Sequence, residues 1–179
     1  MRLVYISIEF LEPIYSGNGA LARMQVDELL KQGQEILLFC GNEFGNDRPE
    51  PERKNLSVIS IPIQSSRELG IKTDFIGFSS GILSHWLKIE EFAPKAIIID
   101  DWHSAMASIA LTKGLKIPLF YQYFRIFSRD AYFVSDPSHF KIIRGFEQQL
   151  TESANLSIHL CNDCAEWVQH TFKTPTKII

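Results

Sequence analysis

The chain has 179 residues, enough for one domain with a hydrophobic core, and its 45% hydrophobic and 22% charged residues are ordinary for a globular protein. Its net charge of −3 and pI near 6.0 are not those of a nucleic-acid-binding surface, so nucleic acid is not an expected partner. Three cysteines, an odd number, favour reduced thiols and a cytoplasmic location. The N-terminal run "LVYISI" is too short for a transmembrane span, although association with a membrane surface stays open.

Short β-rich runs alternate with helical patterns along the chain. Several of the runs are apolar almost throughout, as expected of parallel strands that are covered on both faces. The alternation predicts one doubly wound, Rossmann-like α/β domain with a mostly parallel sheet over residues 1–179. The predicted strands are residues 3–8, 35–39, 56–61, 96–99, 118–121 and 156–160.

Helices are predicted between the strands from apolar spacing and from the residues at their ends. Asn18 is predicted to cap the first helix, which stops at Gly33, and Asp101 is predicted to cap a helix that runs to Gly114. The other predicted helices cover residues 74–91, 137–153 and 164–172. Ligands of such sheets bind beyond the carboxyl ends of the strands, so the loops at 9–19, 41–55, 100–103, 123–136 and 161–163 are the candidate site.

The glycine-rich stretch "YSGNGALAR", residues 15–23, fits the dinucleotide pattern G-x-G-x-x-A. However, eight residues separate the predicted strand from Gly17, and the position about twenty residues further on is Leu37 rather than an acid. A nicotinamide site is therefore the least favoured interpretation. The loop is either an anion site at a helix N-terminus or only a turn with a capped helix.

Acidic and imidazole side chains cluster after the fourth predicted strand, in "IIIDDWHSA". Asp101 has a structural explanation as a helix cap, whereas Asp100 and His103 have no such local duty. His103 has a side chain suited to acid–base chemistry or to a sugar hydroxyl near neutral pH. A structural histidine is the alternative.

Aromatic and basic side chains crowd the stretch after the fifth predicted strand, "YQYFRIFSRD". Arg125 and Arg129 suit phosphate or carboxylate recognition, and the aromatic rings suit stacking on a sugar. A packed, salt-bridged loop explains the same residues equally well.

Cys161 and Cys164 form a C-x-x-C pair, with His159 and His170 nearby in the sequence. A zinc site needs four well-spaced ligands, and a redox pair needs a thioredoxin-like setting. Neither context is convincing, so these cysteines are expected to be buried or at a helix cap, and no metal is expected.

Taken together, these segments resemble the N-terminal half of glycogen-synthase-like retaining glycosyltransferases of the two-domain GT-B fold. The segment from "RLVYISIEF" to "LLFCG" resembles the opening of that family, and "PKAIIIDDWHSAMASIALTKGLKIPLFYQYF" resembles its "D-W-H…G-I-P" stretch. The segment "FEQQLTESANLSIHLCNDCAEWV" resembles the run that leads to the interdomain strand. The similarity covers nearly the whole chain.

The resemblance implies an acceptor-side domain that acts with a nucleotide-sugar donor, a glycosyl acceptor and a C-terminal donor-binding domain in cis, without a metal or a further cofactor. It implies catalytic roles for Asp100, Asp101 and His103. It places the residues Gly17, Asn18 and Gly19 against the donor phosphates or the acceptor, and it places Glu9, Phe124, Arg125 and Arg129 against the acceptor. Two departures stand out, because Asp100 replaces the family's histidine and Phe124-Arg125 replaces its "H-N" or "H-G" pair.

Because the sequence stops within the apolar run "TPTKII", we expect that the C-terminal domain of a longer protein is absent and that the chain alone has little transferase activity. Two other functions are open. One is a stand-alone, non-enzymatic α/β binding domain, and the other is an NAD-dependent oxidoreductase.

Overall fold

The computed structural model describes residues 1–14, 16–43, 50–63, 74–129 and 137–173. In these residues the strands form a parallel sheet of order β3-β2-β1-β4-β5-β6. The strands are β1 (Arg2–Ser7), β2 (Glu35–Glu43), β3 (Leu56–Ile63), β4 (Ala96–Ile99), β5 (Leu119–Tyr123) and β6 (Leu156–His159). The helices are α1 (Gly17–Lys31), α2 (Phe75–Ser84), α3 (Trp86–Phe92), α4 (Ala105–Leu115), α5 (Pro137–Ser153) and α6 (Asn162–Phe172).

Alternate residues of the central strands enter two separate hydrophobic clusters, one on each face of the sheet. Leu3 and Tyr5 of β1 belong to the cluster that contains Val26 of α1. Val4 and Ile6 belong to the larger cluster, to which α2, α4, α5 and α6 contribute. This two-sided burial explains the nearly continuous apolar runs and confirms the doubly wound, Rossmann-like fold.

The helix ends correct several sequence predictions. Ser16, not Asn18, is the N-cap of α1, because its hydroxyl accepts a hydrogen bond from the Gly19 amide. Gly33 follows the last turn with φ +75, a left-handed conformation that glycine adopts without strain. The predicted helix at 74–91 is two helices, α2 capped by Asp74 and α3 beginning after His85.

Other boundaries also move. Strand β2 continues to Glu43, past the predicted end at residue 39, because its register with β3 persists to Ile63. Helix α4 has Ser104 as its N-cap, so Asp101 lies before the helix rather than at its cap position. The "TPTKII" run from Thr174 lies outside the described residues.

Candidate functional site

The loops that follow β1 and β4 meet where the strand order of the sheet reverses. Strand β1 lies between β2 and β4, and the register aligns Ile6 with Ile99 at their carboxyl ends. The chain leaves these two strands toward opposite faces, α1 on one and α4 on the other. This is the position at which open α/β sheets bind ligands.

Asp101 connects the two loops. One carboxylate oxygen, Oδ2, accepts a hydrogen bond from the Ile8 amide at 2.7 Å. The other, Oδ1, accepts from the amides of His103 at 2.8 Å and Ser104 at 3.3 Å, and it lies 3.3 Å from His103 Nδ1. The carboxylate therefore satisfies buried donors on two different segments, which a helix cap alone does not do.

The pKa of Asp101 reflects this pairing. Burial acts to raise the pKa, but the hydrogen bond and the charge of His103, with the Ile8 amide, outweigh burial and lower it. Asp101 is only 4% exposed. The folded protein consequently favours the ionised form of Asp101.

Asp100 has the opposite electrostatic setting. It is 3% exposed, and its Oδ2 lies 3.5 Å from the Tyr5 hydroxyl, which itself donates to Gln25 Oε1 of α1 at 2.9 Å. Burial, together with the negative charge of Asp101, raises the pKa of Asp100 well above its ordinary value. The two adjacent carboxyl groups thus have pKa values displaced in opposite directions, which is a common arrangement at acid–base sites.

His103 is held by aromatic rings. Its imidazole stacks on Trp102 with 4.0 Å between the ring centroids and meets the edge of Phe127 at 6.3 Å. Its carbonyl accepts a hydrogen bond from the Ser79 hydroxyl of α2 at 3.1 Å. With 4% exposure, the imidazole is held by the fold beside the Asp101 carboxylate.

Glu9 folds back onto the start of α1. Its Oε1 accepts a hydrogen bond from the Ser16 amide at 2.8 Å, and its Oε2 accepts one from the Ser16 hydroxyl. A Cβ at Gly19 would lie 2.9 Å from Glu9 Cγ, so a larger residue there would force the glutamate side chain to move. The glycine at this position provides space for the protein's own carboxylate.

The other two residues of the glycine loop are more open. Gly17 is exposed, and a Cβ added to it would meet no described atom within 4 Å. Asn18 is half-buried in the first turn of α1. Packing among the described residues therefore gives no reason for glycine at position 17, which is compatible with a ligand close to the backbone.

The loop after β5 reaches the same region through Phe127. Arg125 lies over the Phe127 ring at 5.4 Å, and that ring contacts His103. Phe124 is half-buried, and Arg129 points its Nη1 toward Cys164 Sγ at 3.6 Å. Arg125 is thus near the Asp101–His103 pair, whereas the contact made by Arg129 is with α6.

Sequence reasoning missed Glu147, which fixes this loop. The side chain is fully buried on α5 and accepts hydrogen bonds from the amides of Phe127 at 2.7 Å and Ser128 at 3.1 Å. The available signal was a single acid on the inward face of a helix, beside Phe146 and Leu150. A buried carboxylate needs hydrogen-bond donors, and here two backbone amides provide them.

The cysteine prediction is confirmed at the helix cap, since Cys161 is the N-cap of α6 and Cys164 lies in its first turn, but neither thiol is fully buried. His159 stacks on Tyr123 within the protein, and His170 is exposed on the last turn of α6. Among the described residues no three His, Cys, Asp or Glu side chains form a group that could hold a metal ion. None of the helices in the described part of the chain has the length and apolarity needed to cross a bilayer.

No family model and no curated protein sequence matches the chain. Solved structures do. Sucrose-phosphate synthase from Thermosynechococcus elongatus superposes with a TM-score of 0.77 at 14% identity, over 99% of this chain and 47% of that one. Anabaena Alr3699/HepE, in complex with UDP and glucose, gives a TM-score of 0.59 at 13% identity, over 100% of this chain and 44% of that one.

A more distant match is to the Bordetella bronchiseptica enzyme WbmG in complex with NAD and UDP, with a TM-score of 0.53 at 18% identity, over 89% of this chain and 52% of that one. The chain therefore spans about half the length of the structures it matches. At these identities the similarity is one of fold. In its fold, this chain matches one Rossmann-like domain of the GT-B glycosyltransferases.

Proposed function

We propose that this chain is the acceptor-side domain of a retaining glycosyltransferase that uses a nucleotide-sugar donor. The observation that carries the proposal is the convergence of the loops after β1, β4 and β5 at the Asp101–His103 pair. The fold match to about half of sucrose-phosphate synthase supports a partner domain in cis as the second wall of a cleft. One wall does not enclose a reaction, so the chain alone is expected to have little transferase activity.

The position of Glu9 favours the acceptor over the donor as the ligand of the glycine loop. A departing diphosphate needs positive groups, whereas Glu9 brings a negative charge to the N-terminus of α1. Carboxylates readily accept hydrogen bonds from sugar hydroxyls. We assign Glu9 and the exposed backbone at Gly17 to an acceptor sugar. We assign Arg125, which lies over the Phe127 ring, to the donor side of the same edge in place of the acceptor role that the resemblance implies.

One observation favours an NAD-dependent oxidoreductase as the second candidate. Strand β2 ends at Glu43, so an acid does stand at the carboxyl end of the strand where a ribose contact is usual. The match to WbmG with NAD and UDP points the same way. Against it, Glu9 lies at the α1 N-terminus, where the pyrophosphate of a dinucleotide would bind. A non-enzymatic binding domain is the third possibility.

These functions are separated by following the backbone amides by NMR while UDP-, ADP- and GDP-glucose, then NADH, are added to the protein. Weak binding of one nucleotide-sugar with shifts at residues 100–104 and 124–127 supports the transferase. Saturable binding of NADH with shifts at residues 16–19 would replace it with the oxidoreductase. A complete absence of shifts with every nucleotide and with free glucose would favour the binding domain.

Glu9→Gln is expected to strengthen binding of UDP at the start of α1 by about fivefold or more, because the substitution removes a negative charge from an anion-attracting helix end. The shifts of the Ser16 and Gly19 amides measure this affinity. Glu12→Gln is the matched control, since Glu12 belongs to the same loop but its side chain is 54% exposed. An equal effect of both substitutions would mean that general charge, not the Glu9 contact, sets the affinity.

Asp100→Ala in the complete enzyme is expected to lower kcat about a hundredfold while changing the free energy of unfolding by less than about 1 kcal/mol. The small stability change follows because the raised pKa of Asp100 marks a carboxyl group that is poorly accommodated by its burial. Initial rates of sugar transfer and urea unfolding curves measure the two quantities. Parallel losses of activity and stability would make Asp100 a purely structural residue.

A further inference from the structure

A second cluster of reactive side chains lies at the N-terminus of α6, outside the site described above. Cys161 is the N-cap residue, with extended backbone angles of φ −153 and ψ 158, and Cys164 lies in the first turn of the helix. Their Sγ atoms are 2.9 Å apart, and Cys161 Sγ accepts a hydrogen bond from the Cys164 amide at 3.4 Å. The two sulfurs need only a short further approach to reach the disulfide bond length of about 2.05 Å.

We propose that Cys161 and Cys164 form a dithiol site that reacts with low-molecular-weight disulfides and closes to an intramolecular disulfide. Three independent features of the geometry support the proposal. The pair is in direct contact, it lies at a helix N-terminus, and the two thiols differ in exposure, because Cys161 is exposed and Cys164 is partly covered.

The environment assigns different roles to the two sulfurs. The hydrogen bonds from the Cys164 thiol and the Cys164 amide lower the pKa of Cys161. Burial, together with the neighbouring Cys161 sulfur, raises the pKa of Cys164 to about 11. The exposed thiol is therefore the one that is deprotonated first and attacks, and the covered thiol is the one that resolves.

The chemistry balances with a small disulfide such as oxidised glutathione as the oxidant. The Cys161 thiolate attacks one sulfur of the small disulfide, forms a mixed disulfide and expels one glutathione thiolate, which takes up a proton. Cys164 then loses its proton and attacks Cys161 Sγ, so that the second glutathione leaves as a thiol. Two protein thiols are oxidised and one small disulfide is reduced to two thiols.

Oxidation of the pair would change a contact made by the loop after β5. Arg129 donates from Nη1 to Cys164 Sγ at 3.6 Å, and closure of the disulfide moves this sulfur toward Cys161. Oxidation thus alters a contact between this loop and α6. The third cysteine, Cys40, is fully buried in β2 and takes no part.

The test is incubation of the native protein with oxidised glutathione, followed by mass spectrometry of the intact chain. The wild type and Cys40→Ser are expected to lose two hydrogens without retaining glutathione. Cys164→Ser is expected to accumulate the Cys161 mixed disulfide. Cys161→Ser, in which serine preserves a good N-cap, is expected to react at least about tenfold more slowly.

Several results would overturn the proposal. They are a stable glutathione adduct on the wild type, equal reaction rates of Cys161→Ser and Cys164→Ser, or protection of both thiols by added zinc at stoichiometric concentration. Circular dichroism verifies that each variant is folded. A second measurement, the rate of iodoacetamide alkylation at neutral pH, is expected to be about tenfold higher at Cys161 than at Cys164 in the wild type. Equal alkylation rates would contradict the assigned roles.

Discussion

Asp101→Ala is expected to lower the free energy of unfolding by about 3 to 5 kcal/mol, because a buried donor that loses its acceptor costs about 1 to 3 kcal/mol. The substitution leaves the Ile8, His103 and Ser104 amides without the acceptor that they share. It also leaves His103 without its carboxylate partner at 3.3 Å. Urea unfolding followed by circular dichroism measures the loss.

A conservative variant separates the hydrogen bonds from the charge. Asp101→Asn keeps one acceptor oxygen but provides no negative charge, so we expect it to lose roughly half as much stability. Glu91→Ala is the control for removing an acid, because Glu91 is exposed on α3, and a change within about 0.5 kcal/mol is expected. A loss below about 1 kcal/mol for Asp101→Ala would show that water replaces the carboxylate and that Asp101 does not join the two loops.

Hydrogen exchange measures the effect of Asp101→Ala at individual backbone amides. If Asp101 connects the loops after β1 and β4, the Ile8 amide should exchange faster in Asp101→Ala, although it is far from Asp101 in sequence. Amides within α1, such as that of Val26, should keep their relative protection. This pattern distinguishes a local connection from general destabilisation.

The architecture and the position of the site could be predicted because they depend on local patterns. The run "AIII" followed by Asp100 and Asp101 indicates a buried strand that ends in polar residues, and parallel strands bring such ends to one edge. The predicted strand at 96–99 has the observed bounds. His103 is two residues after Asp101 in the sequence, so its position at the same edge of the sheet could also be predicted.

Contacts between distant segments could not be predicted in this way. Asn18 and Ser16 are both good cap residues, and only the position of Glu9 beside Ser16 explains which one begins the helix. The bonds from Glu147 to Phe127 and Ser128 span 20 and 19 residues, so no helical or strand periodicity predicts them. The extension of β2 to Glu43 likewise depends on pairing with β3.

Electrostatics of adjacent carboxylates is a further property that the sequence does not determine. Asp100 and Asp101 are neighbours of the same type, yet their pKa values move in opposite directions. The difference arises because an imidazole and backbone amides outweigh burial for Asp101, whereas burial and the charge of Asp101 dominate for Asp100. Their roles in the proposed transferase depend on this asymmetry.

Asp100→Asn is accordingly expected to stabilise the protein at neutral pH by about 1 to 2 kcal/mol, since a neutral polar group replaces an acid that is costly to ionise in its buried site. The expected gain in the free energy of unfolding follows from the raised pKa of Asp100. Below its ordinary pKa of 3.8 the carboxyl group is neutral in both the folded and the unfolded chain, so ionisation does not affect stability. As the pH rises from there toward the folded-state pKa, the unfolded chain releases the proton first and the wild type loses stability.

The advantage of Asp100→Asn over the wild type should therefore be smallest near pH 4 and grow toward pH 7. Asp101 has a lowered pKa and contributes stability that is lost as the pH falls through that value, but it is present in both proteins and largely cancels in the difference. Urea unfolding at several pH values between 4 and 7 measures the trend. An advantage that does not change with pH would mean that Asp100 ionises in the folded protein as readily as in the unfolded chain. If Asp100→Asn is more stable but has lost sugar transfer, Asp100 is an acid retained for its chemistry at the expense of stability.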